Sequence, residues 1–362
     1  MNRLGEKIAG LIRAAGPISV ADYMAICLFD PEDGYYTTRE PFGSRGDFVT
    51  APEVSQMFGE LVAVWLIQAW QVAGKPLPVT IAEIGPGRGT LMKDMVRTVS
   101  RIVPELAAKA DFALVEASPR LAAVQQETLR HGGPVCTWHA TVDTLPDQPL
   151  FIVGNEIFDA LPFRQFVRQG DGWLERGVGL DDAGAFQFGI GTASLAADAL
   201  PAQARNAPDG SMFEIAPARE ALMSAIAAHI AAHGGAGLFF DYGHLRPGFG
   251  DTFQAVRKHR SEGVFDSPGE ADLTSHVDFS ALAAAARLHG LDAHLSTQAQ
   301  FLLGMGLIER AGRLGEALDA AARAKIGADV ERLAGPDQMG DLFKVLAILP
   351  PGLVAPPFRN AS

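Results

Sequence analysis

The sequence predicts an α/β fold: a seven-stranded, mostly parallel sheet with helices on both faces, joined to a helical N-terminal region and carrying insertions. Three observations predict it. Short apolar runs recur from residue 79 onward, amphipathic helical patterns separate them, and a glycine-rich turn joins the first run to the first of those helices.

The candidate strands are VTIAEI (79–84), DFALVE (111–116), PVCTW (134–138), LFIVGN (150–155) and AGLFFDYG (236–243), followed by DAHLSTQ (292–298) and LFKVLAILP (342–350). Runs this apolar suit strands covered on both faces, as βαβ crossovers require. Between the first two, TLMKDMVRTVSRIV places Leu91, Met92, Met95, Val96 and Val99 on one helical face. Residues 1–75 read as a helical region with a lid, residues 76–350 as the core, and 351–362 as a tail. Two insertions interrupt the core. Residues 162–216 hold FRQFVRQGDGWLERGVGL, a hairpin turning at GDG, and residues 298–335 are rich in Ala, Leu and Arg and helical. TAPE (50–53) has the form of a capping box, and behind it Val54, Met57, Phe58, Leu61, Val62 and Trp65 recur at helical spacing, widened by Leu66 and Ile67.

With 362 residues, 48% of them hydrophobic, the chain can bury a large core and exceeds one average domain. A formal net charge of −12 argues against non-specific nucleic-acid binding and suits a cationic substrate. The two cysteines, Cys27 and Cys136, form no disulfide framework, and Cys136 with His139 supplies too few ligands for a metal site. No run of 18 apolar residues suggests a membrane span. The N-terminal stretch sets Leu4, Ile8, Leu11 and Ile12 on one helical face, read as a packing helix with a mitochondrial targeting helix as the alternative, and the cytoplasm is the expected location.

The turn after the first strand, EIGPGRGT, could hold a triphosphate, a dinucleotide or a methyl donor. A P-loop needs GxxxxGK followed by Ser or Thr, because its lysine must reach the terminal phosphates, and nothing here fits. A dinucleotide fingerprint needs a third glycine or an alanine where this chain has Thr90. Gly85, Gly87 and Gly89 instead follow Glu83 at the strand end, where open α/β sheets bind ligands. A carboxylate there suits the cationic amino-acid part of S-adenosylmethionine, and glycines let backbone amides come close to it. Glu116, ending the second strand, can accept hydrogen bonds from both hydroxyls of a ribose.

NEIFDALP (155–162) leaves the fourth strand at the same edge. Asn155, Glu156 and Asp159 are its polar candidates, and a carboxylate pair there could bind a guanidinium and orient its nitrogen.

The strings ISVADYMAICLFDPEDGYYT, GDFVTAPE, EIGPGRGTLM, NEIFDALP and DLTSHVDF together resemble the MidA-like proteins, which include the mitochondrial complex I assembly methyltransferases. The resemblance runs from about Pro17 to the final strand. It implies a class I (Rossmann-like) methyltransferase fold, S-adenosyl-L-methionine as cofactor, and transfer to an arginine of a respiratory NADH dehydrogenase subunit, a protein partner, during assembly. By position, Glu83, Gly85, Gly87 and Gly89 match the family's donor loop, Glu116 its ribose-binding acid, and Asn155 and Glu156 its post-strand motif, with Asn155 a further donor-binding candidate; the short lead before the first string implies a bacterial member. Better-known arginine methyltransferases use two glutamates after the fourth strand, and this chain departs from them with one glutamate and an aspartate; Glu156 and Asp159 are the catalytic candidates. A small-molecule methyltransferase and a donor-binding interaction protein without catalysis are the rival readings.

The remaining candidates are less tied to that edge. GYYTTREPFGSRGDFVTAPE (34–53) could form a lid or a connector. Tyr242 ends the fifth strand near the site, and Arg257, Lys258, His259 and Arg260 read as a basic, solvated loop. In DLTSHVDF, Ser275 and Asp278 form a capping box for a helix over 277–289, and His276 is a candidate proton acceptor.

Overall fold

The computed structural model describes residues 1–38, 49–130, 133–195, 200, 204 and 206–359. The chain forms two units, the first from residues 1–48, 158–220 and 246–276, the second from 49–157, 221–245 and 277–362.

The second unit is built on a mixed sheet of eight strands: β1 (Val79–Ile84), β2 (Ala110–Val115), β3 (Cys136–His139), β4 (Leu150–Asn155), β5 (Gly235–His244), β6 (Val277–Asp278), β7 (Asp292–Thr297) and β8 (Phe343–Leu349). The order along its path is β7-β8-β5-β4-β1-β2-β3, with β6 beside the end of β5. β3, β2, β1, β4 and β5 are parallel neighbours, while β8 runs antiparallel to both β5 and β7. The predicted seven strands are the seven on this path. The expectation of a seven-stranded sheet is corrected by β6, a two-residue strand where a helix start was read. β1 and β4 are buried at every position, as strands with both faces covered must be.

Helix α1 (Gln56–Val72) lies in the apolar core of this unit and buries Met57, Phe58, Leu61, Val62, Trp65, Leu66 and Ile67 together. Phe58 meets Phe240 of β5 edge-on at 5.0 Å. The TAPE reading is corrected. Thr50 makes no side-chain cap, and Ser55 caps α1 by accepting from the Met57 amide. Helix α2 (Thr90–Ile102) buries its predicted face, Leu91, Met92, Met95, Val96 and Val99. Helices α3 (Pro119–Leu129) and α4 (Phe279–Leu288) follow β2 and β6. Asp278 is itself the N-cap of α4, accepting from the Ser280 and Ala281 amides, so Ser275 and Asp278 form no box and the helix begins two residues later than predicted. Tyr242 is buried in the apolar cluster, edge-on to Phe343 at 5.6 Å.

In the first unit the GDG hairpin joins strands Arg164–Gln169 and Gly172–Leu180 into an antiparallel sheet of five. The N-terminal helix Arg3–Ala15 buries Leu4, Ile8 and Ile12, but Leu11 is exposed, because the buried stripe is narrower than the apolar one. Tyr23 packs edge-on to Phe186 and Phe265 in the same core. The basic loop is also corrected. Gln254–Arg257 and Arg260–Glu262 pair as a hairpin, and Lys258 and His259 make its turn with φ of 53° and 59°. Arg257 is paired with Glu262 and Glu270. Half of the candidate lid, residues 39–48, lies outside the described residues.

Candidate active site

The carboxyl ends of β1, β2 and β4 lie side by side, because β1 pairs with both others in parallel register. This is where a parallel sheet leaves a crevice beside the following turns. The chain turns at Gly85, whose φ is 63° and whose amide donates to the Val115 carbonyl at 3.1 Å. A Cβ on Gly85 would sit 2.5 Å from Ile157 Cγ2. Gly87 and Gly89 also have positive φ, 53° and 81°, so the loop is left-handed three times within five residues. Gly89 then serves as N-cap of α2 without a capping side chain. Thr90 opens that helix, and its hydroxyl donates to Glu53 at 2.5 Å.

Glu83 is 3% exposed, and its Oε2 has no hydrogen-bond partner among the described residues. Burial pushes its carboxyl well above the usual range, the Met92 amide opposes that, and Glu116 adds to it. Asn155, at the end of β4, is also buried, though less deeply, and its Oδ1 also lacks a partner among the described residues. Two bare acceptors inside protein are costly unless a donor meets them. An ammonium group supplies such donors, so the chemistry of this edge fits the amino-acid end of a cationic cofactor.

Glu116 follows β2. Burial raises its carboxyl, while amide and side-chain hydrogen bonds hold it down. Oε1 accepts from the Ser118 amide at 2.7 Å and Oε2 from Gln125 Nε2 at 2.9 Å. Each oxygen keeps a further lone pair for a ligand hydroxyl.

Glu156 is a non-glycine residue at φ 55°, a conformation that costs about 1–3 kcal/mol and marks sites where a side chain must be aimed. Its amide donates to the Phe240 carbonyl, and its Oε1 accepts from Asn155 Nδ2 at 2.9 Å. Asp159 and His276 belong to the first unit, where Arg219 brings them together. Arg219 is 3% exposed and donates to the Asp159 carbonyl at 3.1 Å, the His276 carbonyl at 2.8 Å and Ser275 Oγ at 2.6 Å. The Ser275 amide completes the link by donating to the Asp159 carbonyl at 3.2 Å.

A glycine loop behind a buried carboxylate and a second acid one strand over suit an adenosyl cofactor with a cationic tail. The family model for S-adenosyl-L-methionine-dependent methyltransferases matches residues 61–297. The chain belongs to the MidA-like family of these methyltransferases. It is 35% identical to the Danio rerio protein arginine methyltransferase NDUFAF7, mitochondrial, over 95% of this chain and 86% of that one. The human protein of the same name is 33% identical over 94% and 81%. A Burkholderia thailandensis crystal structure bound to S-adenosyl-homocysteine superposes with a TM-score of 0.85 at 32% identity, covering 97% of this chain and 93% of that one. The MidA-like chain is thus a methyltransferase, and its cofactor is S-adenosyl-L-methionine.

Three residues organise these regions through bonds that spacing does not reveal: Gln125, Arg219 and Glu53, which the sequence placed only in the TAPE box. A glutamine within RLAAVQQETL, or an arginine within PARE, carries no spacing signal. Apart from Glu116 and Trp138, which are 9 and 13 residues from Gln125, their hydrogen-bond partners lie 37 to 60 residues away, so only the folded chain reveals them. Among the described residues no helix is long and apolar enough to cross a membrane.

Proposed function

We propose that the protein methylates an arginine side chain of a protein substrate, a subunit of the respiratory NADH dehydrogenase, during assembly of that complex. The observation that carries the reading is the alignment, over 94–95% of this chain, with relatives named protein arginine methyltransferase. The net charge of −12 supports a cationic acceptor.

S-adenosyl-L-methionine, when bound, supplies an electrophilic methyl group on a sulfonium. Glu83 and Asn155 hold its ammonium end, Gly85, Gly87 and Gly89 admit it to the backbone, and Glu116 takes the ribose. A guanidinium is protonated at neutral pH and a poor nucleophile. In this reading Glu156 binds it, draws its positive charge towards the nitrogens it meets and leaves another able to react. Aiming Glu156 at the cost of its left-handed backbone is the chain's contribution to orientation.

The test is transfer of labelled methyl groups from the donor into a lysate lacking this enzyme, followed by mass spectrometry. Label on an arginine of an NADH dehydrogenase subunit is the expected result. Label confined to small molecules overturns the substrate assignment, and absence of any label overturns catalysis.

A further inference from the structure

Helix α3 (Pro119–Leu129) buries only two side chains, Leu121 and Gln125, and Gln125 is wholly inaccessible. A glutamine fills a core position at a cost unless its amide is satisfied. Here it is. Nε2 donates to Glu116 Oε2 and to the Gly87 carbonyl, each at 2.9 Å. Oε1 accepts from the indole N–H of Trp138 on β3 at 3.0 Å.

The Trp138 bond removes the ambiguity of an amide. An indole nitrogen can only donate, so it fixes Oε1 on its own side and turns both Nε2 hydrogens towards the carboxylate and the loop. The opposite orientation would set the amide oxygen against both the Glu116 carboxylate and the Gly87 carbonyl, and the amide nitrogen against the indole N–H. One side chain thereby sets the spacing between the glycine loop and the acid at the end of β2, which neighbouring strands alone do not fix.

We propose that Gln125, locked by Trp138, is a positioning residue of the donor site that selects a cofactor carrying a free ribose diol. It holds Oε2 of Glu116 on one side while the Ser118 amide holds Oε1, so the lone pairs left on the carboxylate face a fixed direction. The inference rests on the reading that Glu116 binds the ribose.

The experiment is calorimetric titration of the full chain with S-adenosyl-homocysteine and with its 2′,3′-dideoxyribose analogue. Gln125→Met keeps the volume and removes the amide. It should bind S-adenosyl-homocysteine about tenfold more weakly, the scale of one hydrogen bond to a charged group. Its affinity for the dideoxy analogue should match that of the wild type within about twofold. Trp138→Phe should show a smaller loss with the same selectivity, and adding it to Gln125→Met should change nothing further. Equal weakening of both ligands by Gln125→Met would mean that Gln125 only supports the loop, and no weakening would mean that it does nothing there; either overturns the proposal. Glu116→Gln separates the two levels. If it too treats the ligands alike, the ribose reading has failed. If it discriminates and Gln125→Met does not, the positioning role alone has failed.

Discussion

At the carboxyl ends of β1 and β4, Glu83 and Asn155 each keep a buried acceptor atom that meets no donor among the described residues. In the first unit, Arg219 does the reverse and directs its guanidinium to four acceptors, the carbonyls of Asp159, Leu161 and His276 and the hydroxyl of Ser275. Both regions hide polar groups that water would otherwise satisfy. The first leaves its acceptors open, which costs stability until a ligand arrives; the second closes its donors internally, which fixes the chain. A binding edge and a structural buttress thus differ in what they leave unsatisfied, not in polarity.

The largest effect should come from Gly85→Val. Its Cβ would overlap Ile157 and its φ of 63° is hostile to a branched side chain. Donor affinity measured by calorimetry should fall at least about 100-fold, with unfolding of the first unit little changed. Wild-type affinity in this variant would remove the loop from the donor site.

Arg219→Met should invert that pattern. Leaving three carbonyls and a hydroxyl without their donor should lower unfolding free energy in urea by about 3 kcal/mol, with Arg219→Lys recovering less than half. If S-adenosyl-homocysteine affinity collapsed instead, the contrast between buttress and binding edge would be false.

Glu83→Gln tests the open acceptor. It should weaken S-adenosyl-homocysteine about tenfold while stabilising the empty protein, because a buried carboxyl is replaced by a neutral amide. The pH dependence has a definite sign. Glu83 and Glu116 have carboxyls raised chiefly by burial, and burial pushes Asp94 up to about 6. A pKa raised on folding gives stability that is full below the unfolded value, near 4, and lost as pH rises through the folded value. Urea midpoints of the empty protein should therefore fall from about pH 4 upward, less steeply in Glu83→Gln, with Asp94→Asn removing its own share. Donor affinity should rise over the same range as Glu83 ionises. A flat stability profile would mean that these acids are hydrated.

The smallest effect should be that of Thr90→Val, which removes one hydrogen bond to Glu53. Donor affinity should change by less than about threefold. The residue that spoke against a dinucleotide in the sequence would then matter for the helix start and hardly for the ligand.

The second unit was the more legible of the two. Its path strands were readable to within two residues at either end, because strands covered on both faces are apolar along their length and glycine, proline and polar residues bound them. Glu83, Glu116 and the glycines were readable because one strand end and one turn place them. What stayed hidden depends on pairing at a distance. β6 is two residues long and exists through Gly243 and His244, and the Thr50 and Ser275 boxes lost to neighbours that spacing alone did not rank. Leu11 was apolar in pattern and exposed in fact, since one face of a short helix can bury only what its partners reach. Gln125 and Arg219 carry no local signature at all. Their importance lies in which carbonyls they meet.

The antiparallel strand β8 has a consequence for how the protein is made. It comes last of the eight in sequence, yet it lies inside the sheet, between β5 and β7. During synthesis β5 therefore emerges about a hundred residues before the strand that covers its flank. Until then the nascent sheet presents the unpaired backbone of Gly237–Tyr242, a template for a neighbouring chain. Chaperone demand should peak in that interval on the ribosome and vanish once Phe343–Leu349 docks.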